Sequence, residues 1–176
     1  MEKVTKRTFN YPAGEEPDTI IPKECCKYRY VIGRHGANPL IAICMNPSAA
    51  RDSASDRTVN KIIISAKQLG YDGWFVINSY PERATDTKNL DKFAPILVEN
   101  NINEARKLLK LYNVKEVWGA WGDPTCEHIT MGCIAMKALL KEMGVKVFAF
   151  KINKSGNPKH PLYLKVDASQ KVYVSL

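Results

Sequence analysis

Apolar residues fall in four short runs along this chain, separated by polar loops and by stretches whose apolar positions recur every three or four residues. Ile41-Ala42-Ile43-Cys44, bounded by Pro39 and by Asn46-Pro47, reads as a strand buried on both faces. Trp74-Phe75-Val76-Ile77, Val114 to Ala120 and Val145 to Phe150 repeat the pattern. Between the first two runs, Val59, Ile62, Ile63, Ala66 and Leu69 form one apolar stripe of a helix that Asp56 or Ser55 caps and Gly70 ends. Ala105, Leu108, Leu109 and Tyr112 mark a helix over 100–112. Ile129, Cys133, Met136, Leu140 and Met143 mark another over 127–143, closed by Gly144. Lys27 to Ile32 alternates polar and apolar, as an edge strand does, and Gly33 begins a turn running to Pro39. Lys171 to Val174 makes a short final strand. Strand–helix alternation predicts a three-layer α/β/α sandwich around a four-stranded, mostly parallel sheet with antiparallel edge strands. One domain covers 1–176, with 1–24 as an extended arm broken by Pro12, Gly14, Pro17 and Pro22, and 25–176 as the core.

In such a sheet the carboxyl ends of the parallel strands share one rim, where ligands bind. The segments that reach it are Asn46-Pro47-Ser48, Asn78-Ser79-Tyr80, Trp121-Gly122-Asp123 and His160-Pro161. Two amides, an indole and an imidazole suit the edge and face of a planar heterocycle, because amides donate and accept and rings stack. Each residue also has a structural use. Asn46 before Pro47 suits an Asx-turn, Asn78 a tie between loops, Trp121 a place in the core, and Gly122 a tight turn. His35 and His128 read as surface residues. His160 lies in a Gly/Asn/Pro loop with no apolar periodicity to explain it.

The net charge of +8 favours an anionic partner, nucleic acid or nucleotide, although the lysines are spread along the chain as on any solvated surface. Five cysteines, Cys25, Cys26, Cys44, Cys126 and Cys133, form no regular framework, so reduced thiols in the cytoplasm are expected, with no metal or other cofactor. No apolar run approaches the roughly 18 residues of a membrane span, and Met1 to Arg7 leads into no secretory core.

Several of these residues carry a resemblance. Tyr28-Arg29-Tyr30, Asn46-Pro47-Ser48-Ala49-Ala50, Asp56-Arg57-Thr58, Asn78 with Arg83-Ala84-Thr85-Asp86, Trp121-Gly122 and Gly156 to Tyr163 resemble, in that order, the family of domain of unknown function 1643. More distantly, Asn46-Pro47, Trp121-Gly122 and His160-Pro161 resemble the signature elements of uracil-DNA glycosylases, also α/β/α proteins. That resemblance implies that Asn46 holds an attacking water and His160 donates to a base carbonyl. It implies too that Asn78 reads the base edge or braces the pocket, and that Leu162 or Tyr163 approaches the nucleic-acid backbone. Cys44 and Ser48 stand where the first glycosylase motif has glycines, Leu162 stands where the last has serine, and the loop carrying Asp52 and Asp56 is foreign to that pattern.

The reading is a nucleobase- or nucleotide-directed enzyme, with Asn46 and His160 as catalytic residues. Pro47, Ser48, Asp52, Asp56, Asn78, Trp121, Gly122, Pro161, Leu162 and Tyr163 are its substrate-binding residues. One alternative is a non-catalytic nucleotide or nucleic-acid binding module. Another is a phosphate hydrolase in which Asp52 and Asp56 hold Mg²⁺.

Overall fold

The structure, a computed structural model, describes residues 8–24 and 27–176. Cys25, Cys26 and the first seven residues of the expected arm lie outside the described residues, as does the side chain of Tyr163. The strands are β1 (Thr19–Ile21), β2 (Val31–Arg34), β3 (Pro39–Cys44), β4 (Gly73–Asn78), β5 (Glu116–Gly119), β6 (Lys146–Ala149) and β7 (Val172–Val174). The helices are α1 (Arg57–Gln68), α2 (Pro95–Leu111) and α3 (Glu127–Glu142).

One seven-stranded sheet runs in the order β1-β2-β4-β3-β5-β6-β7. Its centre, β4-β3-β5-β6, is parallel and corresponds to the four apolar runs. β2, β1 and β7 add antiparallel strands outside it, so the sheet is larger than the four strands expected. Two details differ from expectation at the amino-terminal side. β1 comes from the stretch read as extended arm, and its register Ile20↔Ile32 covers β2, which is therefore interior. β2 itself starts at Val31, because Arg29 is drawn into the interior and Tyr28 makes only an isolated bridge with Glu82.

Alternation along the strands sorts the core into two. Ile41, Ile43, Phe75, Ile77, Val117 and Val147 share one cluster with residues of α2 and α3. Leu40, Ala42, Trp74, Val76, Trp118 and Phe148 share the other with Val59, Ile62, Ile63 and Ala66 of α1. Helices therefore cover both faces of the parallel strands, which is why these strands read as continuous apolar runs. α1 begins as expected: the Asp56 carboxylate caps it, accepting from Val59 N at 2.9 Å. α2 starts earlier than expected, with Pro95 at its first position.

α3 approaches the sheet at a glycine. A methyl group on Gly132 would lie 2.7 Å from the Ser79 carbonyl carbon and would overlap its oxygen. That backbone cannot retreat, since Ser79 N donates to Cys44 O and Asn101 Nδ2 donates to the Asn78 and Ser79 carbonyls. Alanine in a helix interior normally gains about 1 kcal/mol over glycine, whereas forced overpacking costs about 1–3 kcal/mol. Overlap wins here. Gly132→Ala is expected to lower stability by about 1–2 kcal/mol in urea denaturation, and an increase would show that α3 can slide away from the sheet.

Candidate functional site at the carboxyl rim of the sheet

β3 and β5 lie side by side, yet the helix that follows β3 packs on one face of the sheet and the helix that follows β5 on the other. Chain direction therefore diverges between their carboxyl ends, the place on an open α/β sheet where ligands bind. The rim loops are tied in pairs. Tyr80 N donates to Met45 O at 3.1 Å and Ala84 N to Pro47 O at 3.0 Å, joining the loops after β3 and β4. Gly122 N donates to Pro158 O at 3.0 Å, joining the loops after β5 and β6. Gly122 has φ of 69°, a left-handed conformation that favours glycine. Its Cα faces the last loop closely: a methyl group there would lie 3.3 Å from His160 Cβ and 3.8 Å from Met45 Cε. The structure thus brings His160 to the ends of β3 and β5, beside the residue that precedes Asn46.

Asn46 is half-buried. Its Nδ2 donates to Ala84 O at 2.8 Å and more weakly to Pro47 O at 3.3 Å. Because carbonyls only accept, these bonds fix which end of the amide is nitrogen. Oδ1 is then the amide's acceptor end, and it makes no hydrogen bond among the described residues. His160 is fixed in the same way. Its Nδ1 accepts from Leu162 N at 3.3 Å, and a backbone amide can only donate, so Nδ1 carries no proton. Burial pulls the imidazole below its ordinary pKa of 6.5, against an upward pull from the Asp56 carboxylate. At neutral pH the ring is neutral, with Nε2–H as its donor.

Two residues along the chain from each, at Ser48 and Leu162, begins a cleft of about 260 Å³ that neither Asn46 nor His160 itself lines. Ser48 and Ala49 line it from the loop after β3, Asp56, Arg57 and Thr58 from the start of α1, and Thr85 from the next loop. Leu162 and Phe9 complete its walls. Ser48 Oγ and Thr85 Oγ1 are 3.4 Å apart.

The remaining expected site residues take other places. Asn78 is buried and acts as a brace: its Oδ1 accepts from Arg29 Nη2 at 3.4 Å and its carbonyl from Asn101 at 2.6 Å. Trp121 lies in the apolar core rather than open as a stacking platform, 2% exposed, with the Lys137 ammonium 5.6 Å from its ring centroid. Both Asp56 oxygens accept backbone N–H groups, from Val59 and from Ala50, and the Asp52 carboxylate accepts from Ser53 N in its own turn. Among the described residues no group of three His, Cys, Asp or Glu is placed to hold a metal ion. Pro47 and Pro161 are buried, and Pro161 opens a short 3₁₀ turn whose next residue, Leu162, reaches the cleft. Cys44, at the end of β3, is not a nucleophile, because burial pushes its thiol up to about 12.

Sequence reasoning missed the polar scaffold under these loops. Arg29, 1% exposed, donates from Nη1 to Ala50 O at 2.9 Å. Arg83 donates to the same carbonyl and to Ser48 O, each at 2.7 Å. Two guanidinium groups from distant segments therefore hold one loop. Asp123 anchors the last loop, accepting from Asn153 Nδ2 at 3.0 Å, Asn157 Nδ2 at 3.1 Å and Ser155 Oγ, and these donors hold its carboxyl below the usual range. Arg29 in Tyr28-Arg29-Tyr30 looks like the solvated position of an alternating strand, and nothing local marks it as buried.

The family described as protein of unknown function (DUF1643) matches residues 29–162. The chain belongs to that family. No curated protein and no solved structure matches it. The DUF1643 segment opens on the buried Arg29 and closes on Leu162 in the cleft, so it spans all four rim loops and leaves out Phe9.

Proposed function

We propose that this DUF1643 protein is a nucleobase- or nucleotide-directed enzyme that uses the rim cleft to hydrolyse an N-glycosidic bond. The observation that carries the reading is the locked His160. A neutral imidazole, its Nδ1 engaged by Leu162 N, offers a single Nε2–H donor at the carboxyl rim, beside Gly122 and Met45. Hydrolysis of this kind needs a donor for the departing base and an oriented water more than it needs a strong nucleophile. In this reading Asn46 Oδ1 accepts from the attacking water. The water oxygen bonds to the anomeric carbon as the carbon–nitrogen bond breaks. The bonding pair leaves with the base, His160 stabilises the negative charge on a base carbonyl, and the water's proton ends on the released base.

A binding module without turnover is the second reading. What favours it is that neither candidate at hand is a free base: Asn46 is a neutral amide and both Asp56 oxygens are taken by backbone donors. Incubating the purified protein with nucleosides, nucleotides and modified-base oligonucleotides, and reading free base by mass spectrometry, separates the two. Release by the wild type that Asn46→Ala abolishes is the expected result. Ligand-dependent thermal stabilisation with no product would establish the binding module instead. A further property bears on partners: among the described residues no helix is long and apolar enough to cross a membrane.

A further inference from the structure

The outer wall of the cleft comes from the amino-terminal arm, outside the family-matched segment. Phe9 N donates to Ser55 O at 3.0 Å and Ser55 N to Phe9 O at 2.7 Å, a bridge made by backbone alone. Two neighbours pin the same stretch: Asn60 Nδ2 donates to Asn10 O at 2.8 Å, and the buried Tyr11 ring stacks on Trp74 at 6.2 Å. The Phe9 ring itself is half-buried and belongs to neither core cluster. Its neighbour is the Arg57 guanidinium, 5.4 Å from the ring centroid. Phe9 is thus positioned by its backbone, with its ring partly open at the cleft and one cation–π neighbour, Arg57.

Apart from that ring, Arg57 has no charged partner among the described residues. It is exposed and stands in the first turn of α1, which contains no acidic residue. A cation is disfavoured at that end of a helix. Such local mismatches concentrate at functional sites.

We propose that the arm turns the cleft into a site for a single nucleotide, with the base stacked on Phe9 and the phosphate held by Arg57. This deepens the reading given above and rests on it. Size limits the ligand: a volume of about 260 Å³ lies just under the roughly 300 Å³ at which small-molecule sites begin, enough for one base and part of its sugar. The hydroxyls of Ser48, Thr58 and Thr85 line the same space and can meet sugar or phosphate oxygens. Asp56 also lines this space, but both its oxygens are held by backbone N–H groups, so the Arg57 guanidinium is the charge left to meet a phosphate.

Isothermal titration of the wild type with matched pairs (uridine and UMP, cytidine and CMP, adenosine and AMP, guanosine and GMP) tests this. At least one nucleotide should bind about tenfold or more tightly than its nucleoside, and Arg57→Ala and Arg57→Gln should each erase that difference. Phe9→Ala should weaken both members of the pair by about tenfold, the size of one base–aromatic stack, while Phe9→Tyr retains binding. Melting temperatures verify that the variants are folded, which is expected because the Phe9–Ser55 bridge uses no side chain. Tight nucleotide binding unchanged in the Phe9 and Arg57 variants would overturn this proposal and leave the nucleotide-directed reading intact. Equal affinity for nucleoside and nucleotide would overturn it too. Neither binding nor base release by the wild type would end both.

Discussion

Replacing Arg29 with alanine is expected to lower the folding free energy by about 2–4 kcal/mol, the combined scale of a stranded buried acceptor and an unfilled cavity. The guanidinium is buried beneath the rim and donates to Ala50 O at 2.9 Å and to Asn78 Oδ1 at 3.4 Å. Truncation leaves the buried Asn78 amide oxygen without that donor and opens a cavity the size of the side chain, and both effects destabilise. Arg83 still reaches Ala50 O at 2.7 Å, so the loop after β3 keeps one of its two clamps. Arg29→Lys should recover less than half of the loss, because an ammonium cannot reproduce the planar fork that spans two acceptors. Urea denaturation measures this directly. A loss under about 1 kcal/mol, the scale of a surface interaction, would mean that the guanidinium is not part of the fold's support.

His160→Asn should reduce base release by about a hundredfold or more, the cost of removing one preorganised donor to a developing anion. Asparagine is the informative replacement. Its Oδ1 can stand where Nδ1 accepts from Leu162 N, so the turn over 160–162 persists while the distal donor is lost. An unchanged melting temperature with activity reduced a hundredfold would place the effect in chemistry; a drop in both would make His160 a structural cap. The wild type adds a pH signature. Because burial holds the folded imidazole below 6.5, the unfolded chain takes up this proton first as the solution is acidified. The contribution of this group to stability is therefore fully present above 6.5 and falls as pH drops from there through the lower folded value. If His160 serves base release as proposed, that release should fall in the same direction, since a protonated ring gives up its bond from Leu162 N. His160→Asn should flatten that part of the stability profile.

Much of the architecture was readable because it rests on local periodicity. Buried parallel strands have no solvated face, so Ile41 to Cys44 and Trp74 to Ile77 stand out as unbroken apolar runs. The α1 stripe and its Asp56 cap follow from side-chain spacing and from the donors every helix start leaves exposed. β1 escaped notice because three residues of an arm become a strand only by pairing with β2, a contact their own sequence does not encode. In the candidate site, Asn46 was legible as a polar residue at a strand exit, and His160 as a loop residue with no apolar pattern to explain it. Their hydrogen-bond states were not, since Ala84 O and Leu162 N fix them.

By itself, then, the sequence determined which segments become the central strands and helices, where α1 starts, and which polar residues reach the carboxyl rim. Only the tertiary structure decided the order β4-β3-β5-β6, and with it the switch in chain direction between β3 and β5. It alone buried Trp121, drew Arg29 and Arg83 onto one carbonyl, and set Phe9 against Arg57. The reason is physical. Periodicity reports how each residue divides between solvent and interior, whereas strand order and polar partnership depend on hydrogen bonds between segments that meet only when the chain is folded.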